Sequence, residues 1–236
     1  MLSEIKKISS LLLSVAFSSI GFIASITVTV LAAREVSSNP LFVGFPNAVG
    51  VGGAVLGTRM IYLISKNNSQ LNALAFTFLI GAFGGAIMFY SLIVDSFVLL
   101  LFGAFILGIG QSATLQTRYA ASFVASDKFK ATALSLAVWF SVFGSVFGPR
   151  MVGSYSNFFE NIFNSELIVG YVIALVGMLF AASSLFIFTS KKSILRSPSN
   201  LESELNNQNS NKKNGNLLSL LLVLNHFTMV VIMSAT

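Results

Sequence analysis

The sequence predicts an all-α protein that crosses a membrane several times, and two observations carry this prediction. First, 55% of its 236 residues are hydrophobic and only 9% are charged, whereas soluble domains carry about 25% charged residues. Second, the apolar residues form long uninterrupted runs such as 79–92. They do not alternate with polar residues, as the roughly 10-residue strands of a membrane barrel do. Lipid must therefore solvate part of the surface of a helical protein.

Seven runs are long enough to be spanning helices, which need about 20 mostly apolar residues each. Their predicted bounds are 8–33, 41–64, 71–93, 97–123, 131–155, 166–189 and 216–236. The first run is longer than the apolar region of about 7–15 residues in a cleaved signal peptide. We therefore expect it to be retained as the first span.

The basic residues predict the orientation of these spans. If the N-terminus is cytoplasmic, Arg34 is the one basic residue in an outside loop, while loop acids at Asp95, Glu160 and Glu166 also fall outside. Cytoplasmic loops carry the excess of Lys and Arg in membrane proteins, so we predict a multi-pass protein of the cell membrane with a cytoplasmic N-terminus. The inside segments would hold Lys6, Lys7, Lys66, Lys128, Lys130, Lys191, Lys192, Arg196, Lys212 and Lys213.

The stretch 190–215 differs from the short connections before it, because it is rich in Asn, Ser and charge. Such a segment cannot bury enough apolar area to order itself, and it predicts a flexible cytoplasmic linker. The chain would then consist of a six-helix domain over 1–189, this linker, and the first helix of a truncated second domain over 216–236. That helix ends without a polar flank, so we expect the chain to be incomplete.

The composition argues against several other classes of protein. The chain has no Cys and a single His, which leaves almost nothing for a metal site, and we expect neither a metal nor a cofactor. The eight acids map to loops, tails or span ends, so paired catalytic carboxylates within the membrane are not expected, and neither is an enzyme. The net charge of +6 is explained by membrane topology rather than by nucleic-acid binding.

The fifth predicted span contains GSVFGPRMVG, residues 144–153. Gly144 and Gly148 lie one helical turn apart and would let another helix approach closely, with Gly153 continuing the stripe of small residues. Pro149 removes a backbone donor and predicts a kink. The fourth span and the basic loop after it read LFGAFILGIGQSATLQTRYAASFVASDKFK, with a G-x-G turn of helix.

Together these stretches resemble the fourth and fifth spans of the major facilitator superfamily, over roughly 97–155. The resemblance implies a six-helix bundle that pairs with a second bundle across a central cavity, which the fourth span lines. It also implies a glycine- and arginine-containing loop after the second span, of which Gly53, Gly57, Arg59 and Lys66 would be a remnant without its acid. Ala104 stands about where proton-coupled members carry an Arg, so the resemblance gives no support for proton coupling at that position.

Polar residues inside the spans are the candidates for a substrate cavity, since burying them in lipid is costly. Gln111, Thr114 and Arg118 share one face of the fourth helix at positions i, i+3 and i+7. Arg118 has an alternative role, snorkelling to the cytoplasmic surface. The other candidates, each with helix packing or hydrogen bonding within the protein as its alternative, are Ser18 and Ser25 in the first span and Asn225 and His226 in the seventh.

A secondary transporter that moves a small solute by alternating access is the function implied by the resemblance. Its partners would be the lipid bilayer, a small-molecule substrate and, as an open possibility, a coupling ion. A seven-helix receptor or a non-transporting membrane protein remains the alternative, although a receptor would not account for the fifth-span motif or the linker.

Overall fold

A computed structural model describes residues 2–37, 42–163 and 165–189, all within one compact unit. Within these residues there are six long helices and no strand. All six are long and apolar enough to cross a membrane. The predicted linker 190–215 and seventh span 216–236 lie outside the described residues. The helices are α1 (Leu2–Val36), α2 (Phe45–Asn67), α3 (Gln70–Ile93), α4 (Phe97–Val124), α5 (Lys130–Phe163) and α6 (Ile168–Thr189).

The helices begin and end close to the predicted bounds except for α1 and α5. Helix α5 continues to Phe163, eight residues past the predicted end. Aromatic contacts accompany this extension, because the ring of Phe163 lies 6.1 Å from that of Phe159 and 5.5 Å from that of Phe89 on α3. Placing Glu160 in a loop was therefore wrong, since it belongs to the last turns of α5.

The connections between the helices are short. Asn68 and Ser69 alone join α2 to α3. Three residues join α3 to α4, and the middle one, Asp95, has a positive φ of 49°. Between α4 and α5 lies a 3₁₀ turn, Asp127–Phe129, whose first residue forms an ion pair of 2.6 Å with Lys130 at the start of α5. Such connections favour alternating helix directions through the bundle.

The helix contacts show an internal symmetry. The most extensive contacts of α1 are with α5 and α6, and those of α4 are with α2 and α3. Helices α3 and α6 also pack against each other, as do α1 and α4. Exchanging α1–α3 for α4–α6 therefore maps each of these contacts onto another. Because three is odd and successive helices alternate in direction, the two halves form an inverted repeat of the kind found in secondary transporters.

Glycines allow the closest of these contacts. A Cβ atom placed on Gly81 of α3 would lie 2.7 Å from the Cα atom of Gly110 on α4, and the reverse distance is 2.6 Å. On α2, a Cβ atom on Gly57 would lie 2.7 Å from the carbonyl oxygen of Ile109. The backbones meet at van der Waals distance, as in other membrane helix pairs built on small residues.

The residues predicted to remain from a loop after the second span all lie on α2. Gly53 and Gly57 are packed against α4, Arg59 is exposed on the same helix, and Lys66 lies in its last turn. They lie on a helix because α2 continues as far as Asn67. The two glycines therefore act in helix packing here.

Helices α2 and α5 are the least enclosed. Only 22% of the residues in their most apolar windows are buried, against 50–56% in α1, α3, α4 and α6. Each of the two presents a broad apolar face that the described residues do not cover. On α5 that face includes Trp139, Val146 and Phe158, which are 66%, 59% and 60% exposed.

Candidate functional site

A cavity of about 290 Å³ opens between α1, α4 and α5. It is close in size to the smaller ligand pockets of proteins, which begin at about 300 Å³. Helix α4 contributes three of its six polar lining residues. The lining residues are Ser19, Phe22 and Ile23 from α1, Gln111, Thr114, Leu115 and Arg118 from α4, and Ser141, Val142 and Ser145 from α5.

The cavity lies at the middle of the spans. Phe22 is fourteen residues from each end of the span Ile8–Val36, and Ser145 is fifteen and eighteen residues from the two ends of α5. Gln111 is equally central in α4. Arg118 is seven residues further along, a displacement of about 10 Å at 1.5 Å per residue. The cavity therefore extends from the centre of the bundle toward the end where α4 leads into α5.

Three polar atoms in the cavity wall are buried without a hydrogen-bond partner. They are Oγ of Ser19, Oγ1 of Thr114 and Nε of Arg118. Most buried hydroxyls of this protein instead donate to the preceding turn of their own helix, as Thr117 does to Ala113 at 2.7 Å. An unsatisfied buried polar group costs about 1–3 kcal/mol. Three such groups from two helices, all lining one cavity, are what a site for a polar ligand requires.

Arg118 is half-buried in this wall. No described carboxylate forms an ion pair with it, and no acidic side chain lines the cavity. Its position is about 9 Å from the end of α4, given the rise per residue of a helix. Nε of Arg118 is shielded inside the protein, while the residue as a whole stays partly exposed.

Helix α5 lines the cavity next to a break in its own hydrogen bonding. Pro149 lies within the helix, and because proline has no N–H, the carbonyl of Ser145 receives no i+4 backbone hydrogen bond. Ser145 lines the cavity, as does Ser141, whose hydroxyl donates to the carbonyl of Val138 at 2.6 Å. The helix remains continuous through Pro149, and the predicted kink stays a prediction.

The glycines before Pro149 hold α5 close to α1. A Cβ atom on Gly148 would lie 3.0 Å from the backbone nitrogen of Ala24, and one on Gly144 would lie 2.9 Å from that of Ile20. Gly153 differs, because nothing lies within 4 Å of its position. The predicted stripe of small residues therefore makes close contacts at two of its three glycines.

The structure brings Gln111, Thr114 and Arg118 together in the cavity, and it places Ser18 and Ser25 outside the cavity wall. Ser18 and Ser25 are buried, but they are not among the lining residues. The hydroxyl of Ser18 donates to the carbonyl of Val15 at 3.3 Å, and any role for these two serines in a solute pathway stays a prediction. Asn225 and His226 lie outside the described residues.

Sequence reasoning did not single out Ser19, Ser141 and Ser145 as cavity residues. Ser19 is next to the chosen Ser18, and one step along a helix turns the side chain by about 100°. Ser141 and Ser145 are one turn apart in an apolar span, a spacing that marks one helical face. Among the described residues, no group of three His, Cys, Asp or Glu could hold a metal ion.

The fold and cavity define a multi-pass helical membrane protein with a polar cavity about midway along its helices, and comparison with known proteins identifies its family. Two curated relatives from Bacillus subtilis strain 168 are uncharacterized MFS-type transporters, YdeG and YddS. The chain is 30% identical to each, over 175 residues (74% of the chain) and 183 residues (78%), respectively. The chain belongs to the major facilitator superfamily.

The matches cover only part of each relative, 41% of YdeG and 42% of YddS. The chain thus corresponds to about two fifths of the length of these relatives. No family model and no solved structure matches it.

Proposed function

We propose that this chain forms one half of a secondary transporter that moves a small solute across the membrane by alternating access. The observation that carries the proposal is the mid-membrane cavity, where Ser19, Thr114 and Arg118 offer buried polar atoms without partners. In secondary transporters, solute sites lie near the bilayer midplane, between bundles that rock against each other. Both relatives are named as MFS-type transporters, which supports the same function.

The second half of the pathway is proposed to be another helical bundle that faces α2 and α5. Both helices leave most of their apolar windows uncovered by the described residues. A partner bundle that packed on these faces would also enclose the open side of the cavity. The matched length supports such a partner, because the chain corresponds to about two fifths of each relative.

Rocking between two halves requires that each half move as a unit. Within this one, α3 and α4 are in backbone contact at Gly81 and Gly110, and α5 is held against α1 at Gly144 and Gly148. The glycine contacts therefore support a bundle that keeps its own packing while its outer faces change partners.

Solute uptake into vesicles tests this function. Residues 1–236 and the product of the complete reading frame would be reconstituted separately and supplied with a panel of radiolabelled solutes. We expect saturable uptake by the complete product and none by residues 1–236 alone. Saturable uptake by residues 1–236 without crosslinked dimers would overturn the proposal that a second bundle is needed. A complete product that moved no solute in the panel would count against transport itself.

A further inference from the structure

We propose that the cavity between α1, α4 and α5 binds the anionic group of its solute, a carboxylate or phosphoryl group, at Arg118. The inference rests on the proposed transport function, and it names the class of solute. It is drawn from the charges and the unpartnered atoms that line the cavity.

The charge of the cavity wall has one sign. Arg118 is the only charged residue among the ten that line it. Within the described part of the chain no carboxylate pairs with this arginine, so its charge is not neutralised inside the protein. Arg118 is half-buried, and the shielded part of a charged group is stabilised by pairing and hydrogen bonds. A solute anion would supply the missing pair.

The hydrogen-bonding groups fit the same ligand. Ser19 and Thr114 are each 4% exposed, and their hydroxyls have no partner. A hydroxyl can donate to an anionic oxygen, and Nε of an arginine is a donor only. Thr114 and Arg118 lie one turn apart on α4, so both can contact the same anionic group. A guanidinium binds carboxylate and phosphate with paired hydrogen bonds, which favours these two groups.

The other end of the cavity suits a neutral, hydrogen-bonding part of the solute. Gln111 lies about 10 Å from Arg118 along the helix axis. On α5, the Ser145 carbonyl lacks its helical donor because of Pro149. The proposed solute is therefore a small organic anion whose charged group lies at Arg118 and whose hydrogen-bond donors point toward Ser145 and Gln111.

Thiol labelling tests the charge preference with small reagents of opposite charge in place of the solute. Residues 1–236 contain no Cys, and any Cys in the rest of the complete product would be replaced by Ser, so Ser145→Cys places a single thiol at an exposed position of the cavity wall. Two methanethiosulfonate reagents would be compared, one with an ethylsulfonate group and one with an ethyltrimethylammonium group. Each forms a mixed disulfide with the thiolate and releases methanesulfinate. The measurement is the ratio of the two labelling rates, divided by the same ratio for 2-mercaptoethanol.

In the complete reading-frame product in phosphatidylcholine vesicles, we expect a normalised ratio of about ten in favour of the anionic reagent, since one charge acts at short range in a low dielectric. Adding Arg118→Gln should bring the ratio to within about twofold of the free thiol, whereas Arg118→Lys should keep most of it, because the charge is retained. The matched control is Arg150→Gln, which removes the same charge from an exposed position on α5 and should leave the ratio unchanged. Circular dichroism of each variant would verify its fold.

A ratio near one in the parent, or a ratio that Arg118→Gln leaves unchanged, would overturn the anion site. If Arg118→Gln does not fold, the parent, Arg118→Lys and Arg150→Gln still test the anion site. The labelling ratio of the parent must exceed that of the free thiol whatever the variants show. The labelling needs no transport. A failure of uptake with a high labelling ratio would therefore count against transport and not against the anion site. Uptake with a labelling ratio near one would count against the anion site and not against transport.

Two sources could supply the anionic group, a free solute or a lipid headgroup. The labelling ratio would be measured in vesicles with and without phosphatidylglycerol, and with and without added benzoate or inorganic phosphate. Each value would be divided by that of Arg118→Gln in the same vesicles. A ratio lowered by benzoate or phosphate, and insensitive to phosphatidylglycerol, supports the free solute. A ratio lowered only by phosphatidylglycerol assigns the site to a lipid headgroup and overturns its role in binding solute.

Discussion

Gly144 on α5 lies against the backbone of Ser19 on α1, so closely that a Cβ atom at position 144 would be 2.6 Å from the Ser19 carbonyl carbon. Ser19 also lines the cavity, where its hydroxyl has no partner. A single residue of α1 thus takes part in both the closest contact with α5 and the polar wall. The position of α5 and the shape of the cavity are therefore linked at Ser19.

The glycines of α5 provide a matched test of this packing. Gly148→Leu should destabilise the protein by about 1–3 kcal/mol, because the added side chain must displace the backbone of α1. Gly153→Leu should have little effect, since its Cβ position meets nothing within 4 Å. The free energy of unfolding in detergent would be measured for both. Equal stability of the two variants would contradict the close contact at Gly148.

Arg118 should be important for transport by the complete protein. Arg118→Lys should reduce uptake, because a lysine cannot form the paired hydrogen bonds of a guanidinium. Arg118→Ala should reduce it further, by about tenfold or more, if a charge-assisted hydrogen bond worth about 1.5–3 kcal/mol is lost. Initial uptake rates would be compared at equal amounts of inserted protein.

The control for Arg118 is Arg59→Ala, which removes an exposed arginine from α2. It should retain more of the transport rate than Arg118→Ala. Normal uptake by both Arg118 variants would leave this residue with a purely structural role near the membrane surface.

The orientation of the bundle can be tested with reporter fusions. The excess of basic residues predicts that a fusion after Ser199 reports the cytoplasm. Because α5 extends to Phe163, the site for the opposite side is Glu166, in the connection to α6. Alkaline phosphatase should be active only at Glu166. Activity at both sites, or only after Ser199, would refute the predicted topology.

The reversal between α3 and α4 depends on Asp95, whose φ of 49° is rare for a residue with a side chain. Asp95→Gly should leave stability equal or slightly higher, because glycine adopts this conformation without a steric cost. Asp95→Val should lower it by about 1–2 kcal/mol, since a left-handed conformation is unfavourable for branched side chains. Thermal unfolding of the two variants in one detergent would measure the difference. A valine variant as stable as the glycine variant would contradict the left-handed conformation of residue 95.

Hydropathy predicted six of these helices, because each must present about 20 apolar residues to lipid. It predicted the end of α5 poorly, since residues 156–163 mix polar side chains with phenylalanines that pack beyond the apolar span. The family resemblance drawn from residues 97–155 is confirmed by the two relatives. The seventh span stays a prediction.

Part of the cavity could also be predicted, from helical periodicity rather than from hydropathy. Helical periodicity places Gln111, Thr114 and Arg118 on one face whatever surrounds it. Which serines of α1 and α5 meet that face depends on helix rotation, and rotation is set by contacts such as that of Gly148 with Ala24. A sequence without tertiary distances cannot choose between adjacent positions such as Ser18 and Ser19.

The contact between Gly81 and Gly110 has a consequence for biogenesis. Helices α3 and α4 are joined by only three residues, and their backbones meet without an intervening side chain. Such a pair can form as soon as its second helix leaves the ribosome, and it can enter the bilayer as a hairpin. On this order of events, α2 would wait in lipid until α4 arrives, because α4 provides its main contact surface, and α1 would wait for α5 and α6. Packing of the bundle would then begin at the α3–α4 pair and proceed outward, although the helices enter the bilayer in chain order.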